Sequence, residues 1–290
     1  MGSFSILNNI SGTSAQNQLN LNNVNLSRTL LRLSTGKRIN SGADDAAGLQ
    51  IADTLRANTM ALDQAVRNAN DGISVAQIAD GALSQMSELL TRAVTLATEA
   101  STSTVDSAGR TVLQSEYTSI EAEISRIAQQ TNFNGKLIFS SSASGLNGSL
   151  GVFVGDLSGA SSIAVSIQTI TASGGSVTAL GTSGQNLSSV SLVDKDNAAA
   201  SLSTIKNALI NVSSMRAQIG AGINRLQSAV AVLTTQSQNT QAAESNIRDA
   251  NMAQEVANLS KYQILAQSGV AALAQANSNS QIVLGLIKNA

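Results

Sequence analysis

Residues 202–233 read LSTIKNALINVSSMRAQIGAGINRLQSAVAVL, and large apolar side chains recur along this stretch every three or four residues. The repeating positions are Leu202, Ile205, Leu209, Val212, Ile219, Ile223, Leu226, Val230 and Leu233, with Arg216 in a polar slot. This spacing places side chains on one face of an α-helix and, when it is sustained over several heptads, is typical of a coiled coil. The stretch therefore predicts a long helix that packs along one face against other helices.

The same spacing recurs in four other parts of the chain. It is carried by Leu19, Asn23, Leu26, Leu30 and Leu33; by Leu83, Met86, Leu90, Ala93 and Ala97; by Leu113, Tyr117, Ile120, Ile124 and Ile127; and by Met252, Val256, Leu259, Ala266, Val270 and Leu273, with Gln263 in the polar slot. The chain contains no proline, the residue that most strongly interrupts a helix. Long, unkinked helices are expected, among them one from about Asp44 to Ala100.

The middle of the chain, roughly residues 137–196, has the composition of strands and loops. The apolar segments 151–155 (GVFVG) and 162–170 (SIAVSIQTI) flank residues 156–159 (DLSG), as the two strands of a β-hairpin would. Residues 171–192 are rich in Gly, Ser and Thr and carry no charge, so we expect them to be surface-exposed and tolerant of insertions. The predicted fold class is mainly α: long antiparallel helices in a coiled coil or helical bundle, with a small β-hairpin region in the middle.

The composition excludes most enzymatic chemistry. The chain has no histidine and no cysteine, which rules out His-dependent nucleophilic catalysis, disulfides and Cys/His zinc sites. The adjacent carboxylates of Asp44 and Asp45 would point about a hundred degrees apart on a helix, so we interpret them as helix-capping groups. Gly220-Ala-Gly222 lacks the Gly-Lys-Ser/Thr ending of a phosphate-binding loop and is interpreted as a close approach between helices or a bend. We expect no enzymatic activity, cofactor or metal site.

The charge pattern also limits the classes of partner. Charged residues make up 12% of the chain, with a net charge of -1, whereas ordinary proteins have about 25%. A nucleic-acid partner is not expected, because it would require a basic surface. No run of eighteen or more apolar residues occurs, so no membrane insertion is expected. The first basic residue is Arg28, so the N-terminal segment lacks the positive region of a cleaved signal peptide.

The two ends of the chain have narrow apolar stripes. Residues 1–33 and 252–290 are rich in Ala, Asn and Gln and contain few large side chains on each stripe. A stripe of this kind on a lone pair of helices buries too little surface to offset the entropy lost on folding. We therefore expect the ends to become ordered against a partner chain.

Three motifs in the first half of the chain resemble those of bacterial flagellins. Residues 33–48, LSTGKRINSGADDAAG, resemble the RLSSGxRINSxxDDAAG stretch of that family. Residues 67–77, RNANDGISVAQ, match its RNANDGISxAQ element, and residues 130–135, QTNFNG, resemble its QTxFNG element.

The resemblance extends to the end of the chain. Residues 260–269, SKYQILAQSG, and residues 273–277, LAQAN, match the terminal helix of flagellins. Together the motifs cover most of residues 15–140 and 200–287 in the order of the family. The chain thus resembles a short flagellin without large outer domains.

The resemblance implies a structural subunit that self-assembles into the bacterial flagellar filament for swimming. Residues 1–44 and 251–290 would pair as a terminal coiled coil that forms the inner tube of the filament. Residues 45–136 and 197–250 would form a surrounding helical shell, and residues 137–196 its β-hairpin and surface-loop region. The expected assembly seam consists of Leu19, Leu26, Leu30, Leu33, Val256, Leu259, Leu265, Val270 and Leu273.

The resemblance also implies partners and a location. The partners would be other copies of the chain, a flagellar export chaperone, and the filament cap and hook-junction proteins. The chain would be extracellular, exported by the flagellar type III route without a cleaved signal peptide. Flagellins are also recognised by a vertebrate Toll-like receptor, and motif alignment places that contact at Arg92, Leu96 and Glu116. Many recognised flagellins carry Arg and Glu where this chain has Val94 and Thr95, so weak recognition is expected.

Two other functions remain open at this stage. A hook–filament junction protein or another axial component would share the terminal stripes, although such proteins usually lack the internal motifs. A helical-bundle adhesin or scaffold unrelated to flagella would share only the helical pattern.

Overall fold

A computed structural model of the chain describes residues 9–140, 145–146, 148–155, 161–173, 176–180 and 186–288. Five long α-helices occur in these residues: α1 (Ile10–Thr35), α2 (Ala46–Ala100), α3 (Ser107–Gln130), α4 (Lys195–Arg248) and α5 (Met252–Lys288). The mainly α fold class is confirmed. The helix expected from about Asp44 to Ala100 is α2, which begins two residues later. No helix in the described ranges has the length and apolar character that a membrane crossing requires.

The chain divides into two compact units, which are described separately. The first contains residues 1–57 and 239–290, and the second contains residues 58–238. In the first unit, α1 and α5 pack together in antiparallel orientation. The second unit contains the large apolar core.

The core of the second unit is built from the stripes that the 3,4 spacing predicted. On α2, Leu83, Met86, Leu90, Ala93 and Ala97 are fully buried; on α3, Tyr117, Ile120 and Ile124 are buried; on α4, Ile205, Val212, Ile219, Leu226 and Leu233 are buried. Arg216, in the polar slot of α4, forms an ion pair with Asp80 of α2 at 2.9 Å. The hydrogen bond from Arg216 to Asp80 raises the pKa of the guanidinium. The one charged position in the apolar stripe of α4 therefore forms an ion pair with α2 at the edge of the core.

Short antiparallel strand pairs follow α3. They are β1 (Asn132–Phe133) with β2 (Lys136–Leu137), β3 (Ser149–Phe153) with β4 (Ser162–Ser166), and β5 (Ile170–Ser173) with β6 (Ser176–Leu180). The β3–β4 pair is the predicted hairpin, with Leu150 opposite Val165 and Val152 opposite Ile163. Most of its connecting segment, residues 156–160, lies outside the described residues.

The expectation of a surface-exposed segment at residues 171–192 is wrong for its apolar members. Val177, Leu187, Val190 and Leu192 are all at most 5% exposed. They cover α3, where the Tyr117 hydroxyl donates a hydrogen bond to the Leu187 carbonyl at 3.0 Å. These apolar residues follow no regular spacing, so the sequence pattern did not distinguish them from a loop.

The β3–β4 hairpin lies against two glycines. A Cβ atom on Gly72 of α2 would lie 2.5 Å from Cγ2 of Val152, and one on Gly222 of α4 would lie 2.6 Å from Cγ1 of Val165. The interpretation of Gly220-Ala-Gly222 as a close approach between helices is wrong. The close neighbour of Gly222 is Val165 of strand β4, and no atom lies within 4 Å of a Cβ added at Gly220.

Candidate assembly interface

The α1–α5 pair is held by a few contacts of small and polar residues. Leu19 of α1 packs on Gly269 of α5, where an added Cβ would lie 3.2 Å from the leucine Cδ1. Nearer the other end of the pair, Nη1 of Arg32 lies 3.6 Å from Oε1 of Glu255. Since position 19 meets 269 and position 32 meets 255, the two helices run antiparallel.

The large apolar side chains of this pair are mostly outside its contact. The buried residues of α1 are Gly12, Asn22 and Thr29. Among the side chains that the structure describes on α1 and α5, the exposed large apolar ones are Ile10, Leu21, Val24, Leu30, Leu31, Met252, Val256, Ile264, Leu265 and Val270. A surface this rich in exposed apolar side chains is typical of a protein–protein interface.

The structure divides the predicted seam residues into two groups. Half-buried are Leu19, Leu26, Leu33, Leu259 and Leu273. Exposed are Leu30 at 48%, Val256 at 49%, Leu265 at 37% and Val270 at 57%. The first group borders the α1–α5 contact, and the second is free to meet other molecules.

The buried stripe of α1 passes through two polar residues that the sequence analysis did not select. Asn22 is 6% exposed and Thr29 is 4% exposed, whereas the neighbouring Asn23 and Leu30 are exposed. Steps of three and four residues fit both a stripe through positions 23 and 30 and a stripe through positions 22 and 29. The sequence analysis chose the first stripe because position 30 is a leucine, but the second stripe is the buried one. The signal that could have found them is the spacing of 19, 22, 26, 29 and 33, which is an equally regular heptad pattern.

A short backbone contact joins the segments that follow α1 and α4. Gly36 ends α1 in the left-handed conformation, with φ 69°, and its carbonyl accepts a hydrogen bond from the Ala250 N–H at 2.9 Å. The Arg38 N–H donates to the Arg248 carbonyl at 2.7 Å. The start of α5 is thereby fixed next to the end of α1.

The prediction that Asp44 and Asp45 cap α2 is confirmed for Asp45 and is wrong for Asp44, whose carboxylate binds the loop before the helix. The Asp45 carboxylate accepts the Gly48 N–H at 2.9 Å and caps the helix. The Asp44 carboxylate accepts the backbone N–H groups of Asn40 and Ser41 at 3.2 and 3.1 Å. These hydrogen bonds, the one from Asn40 above all, lower the pKa of Asp44 because they favour its ionised form.

Arg32 lies between two carboxylates in the same unit. Its Nη2 is 3.8 Å from Oδ1 of Asp44, and its Nη1 is 3.6 Å from Oε1 of Glu255. Glu255 is only 7% exposed, and its Oε2 has no hydrogen-bond partner. These ion pairs connect α1 to α5 and to the segment before α2. Within the described residues, no group of three His, Cys, Asp or Glu side chains could hold a metal ion.

The three residues aligned with the receptor contact do not form one exposed face. Nε of Arg92 donates a hydrogen bond to Oε1 of Glu116 at 2.8 Å, and both side chains are well exposed. Leu96 is 0% exposed and belongs to the core of the second unit. Four residues rotate an α-helix by about 40° more than one full turn. This difference places Leu96 in the core, whereas Arg92 lies on the exposed side of α2. The structure thus brings Arg92 and Glu116 together and excludes Leu96 from the surface.

Comparison with known proteins places both ends of the chain in one family. Residues 6–144 match the family model of the bacterial flagellin N-terminal helical region, and residues 202–287 match that of the C-terminal helical region. The chain is 34% identical to the flagellar filament 30.7 kDa core protein of Treponema maltophilum, over 97% of this chain and 99% of that protein. It is 33% identical to a flagellin of Listeria monocytogenes, over 97% of this chain and 98% of the relative.

A solved structure assigned to a flagellar hook-associated protein of Vibrio parahaemolyticus is also similar. The TM-score is 0.55 at 16% identity, covering 71% of this chain and all of the other. At this identity the likeness shows a shared fold alone. The full-length relatives, at more than twice that identity, carry the functional argument.

Proposed function

This chain belongs to the bacterial flagellin family, and on that premise we propose that its copies associate through the pair formed by α1 and α5. Like its full-length relatives, the chain is a structural subunit of the flagellar filament and not an enzyme. The observation that carries the proposal is the distribution of apolar side chains on this pair. The fully buried residues of α1 are small or polar, and most of the large apolar side chains that the structure describes on α1 and α5 are exposed.

The seam residues would act at two levels. Leu19, Leu26, Leu33, Leu259 and Leu273 would hold α1 against α5. Leu30, Val256, Leu265 and Val270 would be covered by neighbouring copies. Covering the exposed part of one such side chain contributes about 1 kcal/mol, so several together supply a substantial driving force for association.

We propose the following arrangement of the chain in the filament. Residues 1–44 and 251–290 line the inner tube as a coiled coil. Residues 45–136 and 197–250 form the helical shell, with residues 137–196 as its hairpin and loop region. The support for this division is that exposed apolar residues are concentrated on α1 and α5, whereas α2, α3 and α4 bury most of theirs.

Export and assembly would involve further partners. An exposed apolar surface of this size promotes premature association, so an export chaperone that covers it before assembly fits the chemistry. We propose export by the flagellar type III route without a cleaved signal peptide, followed by contacts with the filament cap and hook-junction proteins.

Limited trypsin digestion of monomer and polymer tests the proposal. We expect the monomer to be cut first at Arg28 of α1 and Lys261 of α5, because these helices lack the neighbours that would order them. Arg92 and Arg110 in the second unit serve as internal controls and should be cut later. In the polymer all four sites should resist. Equal resistance of Arg28 and Lys261 in monomer and polymer would contradict the proposal.

We also propose that the vertebrate Toll-like receptor for flagellin contacts the Arg92–Glu116 pair, with weak activation. Arg92 is already bonded to Glu116, and Val94 and Thr95 replace charged residues found in many recognised flagellins. In a receptor-reporter assay on soluble monomer, Arg92→Ala should reduce the weak response several-fold, as for an interface hot spot.

Arg126→Ala is the matched control for this assay, because Arg126 is also exposed and ion-paired, with Glu123 on α3. The control should respond like the parent. A response that survives Arg92→Ala unchanged means that the receptor contact lies elsewhere. Leu96→Ala is not a clean probe, since removing a fully buried leucine side chain costs about 2–5 kcal/mol of stability.

A further inference from the structure

The methionines that the structure describes differ sharply in exposure. Met86 of α2 and Met215 of α4 lie in the apolar core, at 0% and 1% exposure. Met60 of α2 is 57% exposed and Met252 of α5 is 47% exposed. The chain has no cysteine and no tryptophan, so the methionine thioether is the side-chain group that a mild oxidant attacks first. In the single chain, Met60 and Met252 are therefore open to oxidation, whereas Met86 and Met215 are shielded.

Met252 has a fixed place in the fold. It is the first residue of α5. The side chain of the preceding Asn251 accepts a hydrogen bond from the Gln254 N–H at 3.2 Å, and the Asn251 carbonyl accepts one from the Glu255 N–H at 3.0 Å. These bonds cap the first turn of the helix. Because the turn is capped, the thioether is exposed by the folded chain itself and not by fraying of the helix end.

Other large apolar side chains are exposed at the same end of the α1–α5 pair. Val256, one turn after Met252 on the same face of α5, is 49% exposed. Leu31 of α1 is 51% exposed and adjoins Arg32, whose guanidinium contacts Glu255. Met252 thus belongs to the apolar surface that neighbouring copies would cover in the filament.

A peroxide converts a thioether into a sulfoxide in one balanced step. The sulfur lone pair attacks one peroxide oxygen, and the O–O bond breaks as the S–O bond forms. The departing hydroxide takes up the proton of the attacked oxygen and leaves as water. The sulfur loses two electrons and the peroxide gains them. The product is a polar, chiral side chain in place of a flexible apolar one.

We propose that Met252 is an oxidation-sensitive position that controls assembly: a peroxide forms its sulfoxide in the free chain, and the oxidised chain does not add to the filament. If a neighbouring copy covered the sulfoxide, its oxygen would lose the hydrogen bonds that water supplies. In the filament the same cover shields the thioether, so the oxidant acts on chains that have not yet assembled. The inference rests on the filament function proposed above and names a modification that regulates it.

Partial oxidation followed by sedimentation tests the inference on the parent chain. The soluble chain is treated with hydrogen peroxide until part of Met252 is sulfoxide, freed of peroxide, polymerised and sedimented. Trypsin releases Met60 in residues 57–67 and Met252 in residues 249–261, so mass spectrometry measures the two positions separately. We expect Met252 sulfoxide to be enriched at least about tenfold in the supernatant relative to the pellet, and Met60 sulfoxide far less. Equal proportions of Met252 sulfoxide in the two fractions overturn the proposal.

Two substitutions separate the exposed methionines. Met252→Leu keeps an apolar side chain of similar volume, so it should polymerise like the parent and continue to do so after peroxide treatment. Met60→Leu is the matched control and should lose polymerisation with peroxide as the parent does. Met252→Leu that loses polymerisation as strongly as the parent also overturns the proposal. If Met252→Leu fails to polymerise even without peroxide, the sedimentation of the parent chain decides, because it needs no substitution.

Two further measurements separate this inference from general damage and from failure of the filament function. The oxidised parent should keep its far-UV circular dichroism, because Met86 and Met215 stay reduced, and methionine sulfoxide reductases should restore its polymerisation. Polymerisation that stays lost after full reduction of Met252 overturns the proposal. An untreated parent chain that does not polymerise would instead count against the filament function.

Discussion

We expect Leu265→Asp to abolish polymerisation and to leave the helical content of the soluble chain nearly unchanged. Leu265 is 37% exposed on α5, so a carboxylate is hydrated in the single chain. In the polymer the same carboxylate would be covered by a neighbouring copy without a partner charge, which costs several kcal/mol. Sedimentation measures the polymer, and far-UV circular dichroism measures the helical content.

The matched control is Gln267→Asp, because Gln267 is an exposed polar residue of the same helix and the substitution adds the same charge. It should polymerise close to the parent concentration. Leu26→Asp on α1 should also abolish polymerisation, but by weakening the α1–α5 pair itself, because Leu26 is half-buried. Normal polymerisation of Leu265→Asp would mean that this face of α5 is not covered in the assembly.

We expect Gly222→Val to destabilise the second unit by about 1–3 kcal/mol. An added Cβ at this position would already lie 2.6 Å from Cγ1 and 3.0 Å from Cγ2 of Val165, and a valine side chain is short and stiff. The hairpin must therefore move away from α4 or the two side chains must clash. For a unit of this size, we expect the melting temperature to fall by roughly 2–12 °C.

Gly220→Val is the control, because no atom lies within 4 Å of a Cβ added at Gly220 on the same helix. Its free energy of unfolding should stay within about 0.5 kcal/mol of the parent value. Equal melting temperatures for the two variants would show that the β3–β4 hairpin does not rest on Gly222.

The parts of the fold that sequence reasoning predicted share one property: a regular spacing or a local hydrogen bond determines them. The stripe from Leu83 to Ala97 predicted the buried face of α2, and Asp45 capped that helix as its position indicated. The β3–β4 hairpin followed from two alternating apolar segments.

The parts that were missed depend on tertiary contacts. Asn22 and Thr29 are buried because α5 packs against their side of α1. Polar side chains are usually exposed, so the residue types alone did not predict their burial. Leu96 differs from an exposed leucine only by its rotation around α2. Val177 is buried because α3 lies beneath it, although its sequence neighbours are those of a loop. In each case the deciding neighbour is distant in sequence.

Electron microscopy of the purified chain after a polymerisation step tests the central claim, that this flagellin forms filaments through the α1–α5 pair. The account predicts long filaments of uniform diameter from the parent and from Gln267→Asp, and none from Leu265→Asp. A parent chain that stays monomeric or forms only amorphous aggregates, or filaments from Leu265→Asp that match those of the parent, would contradict it.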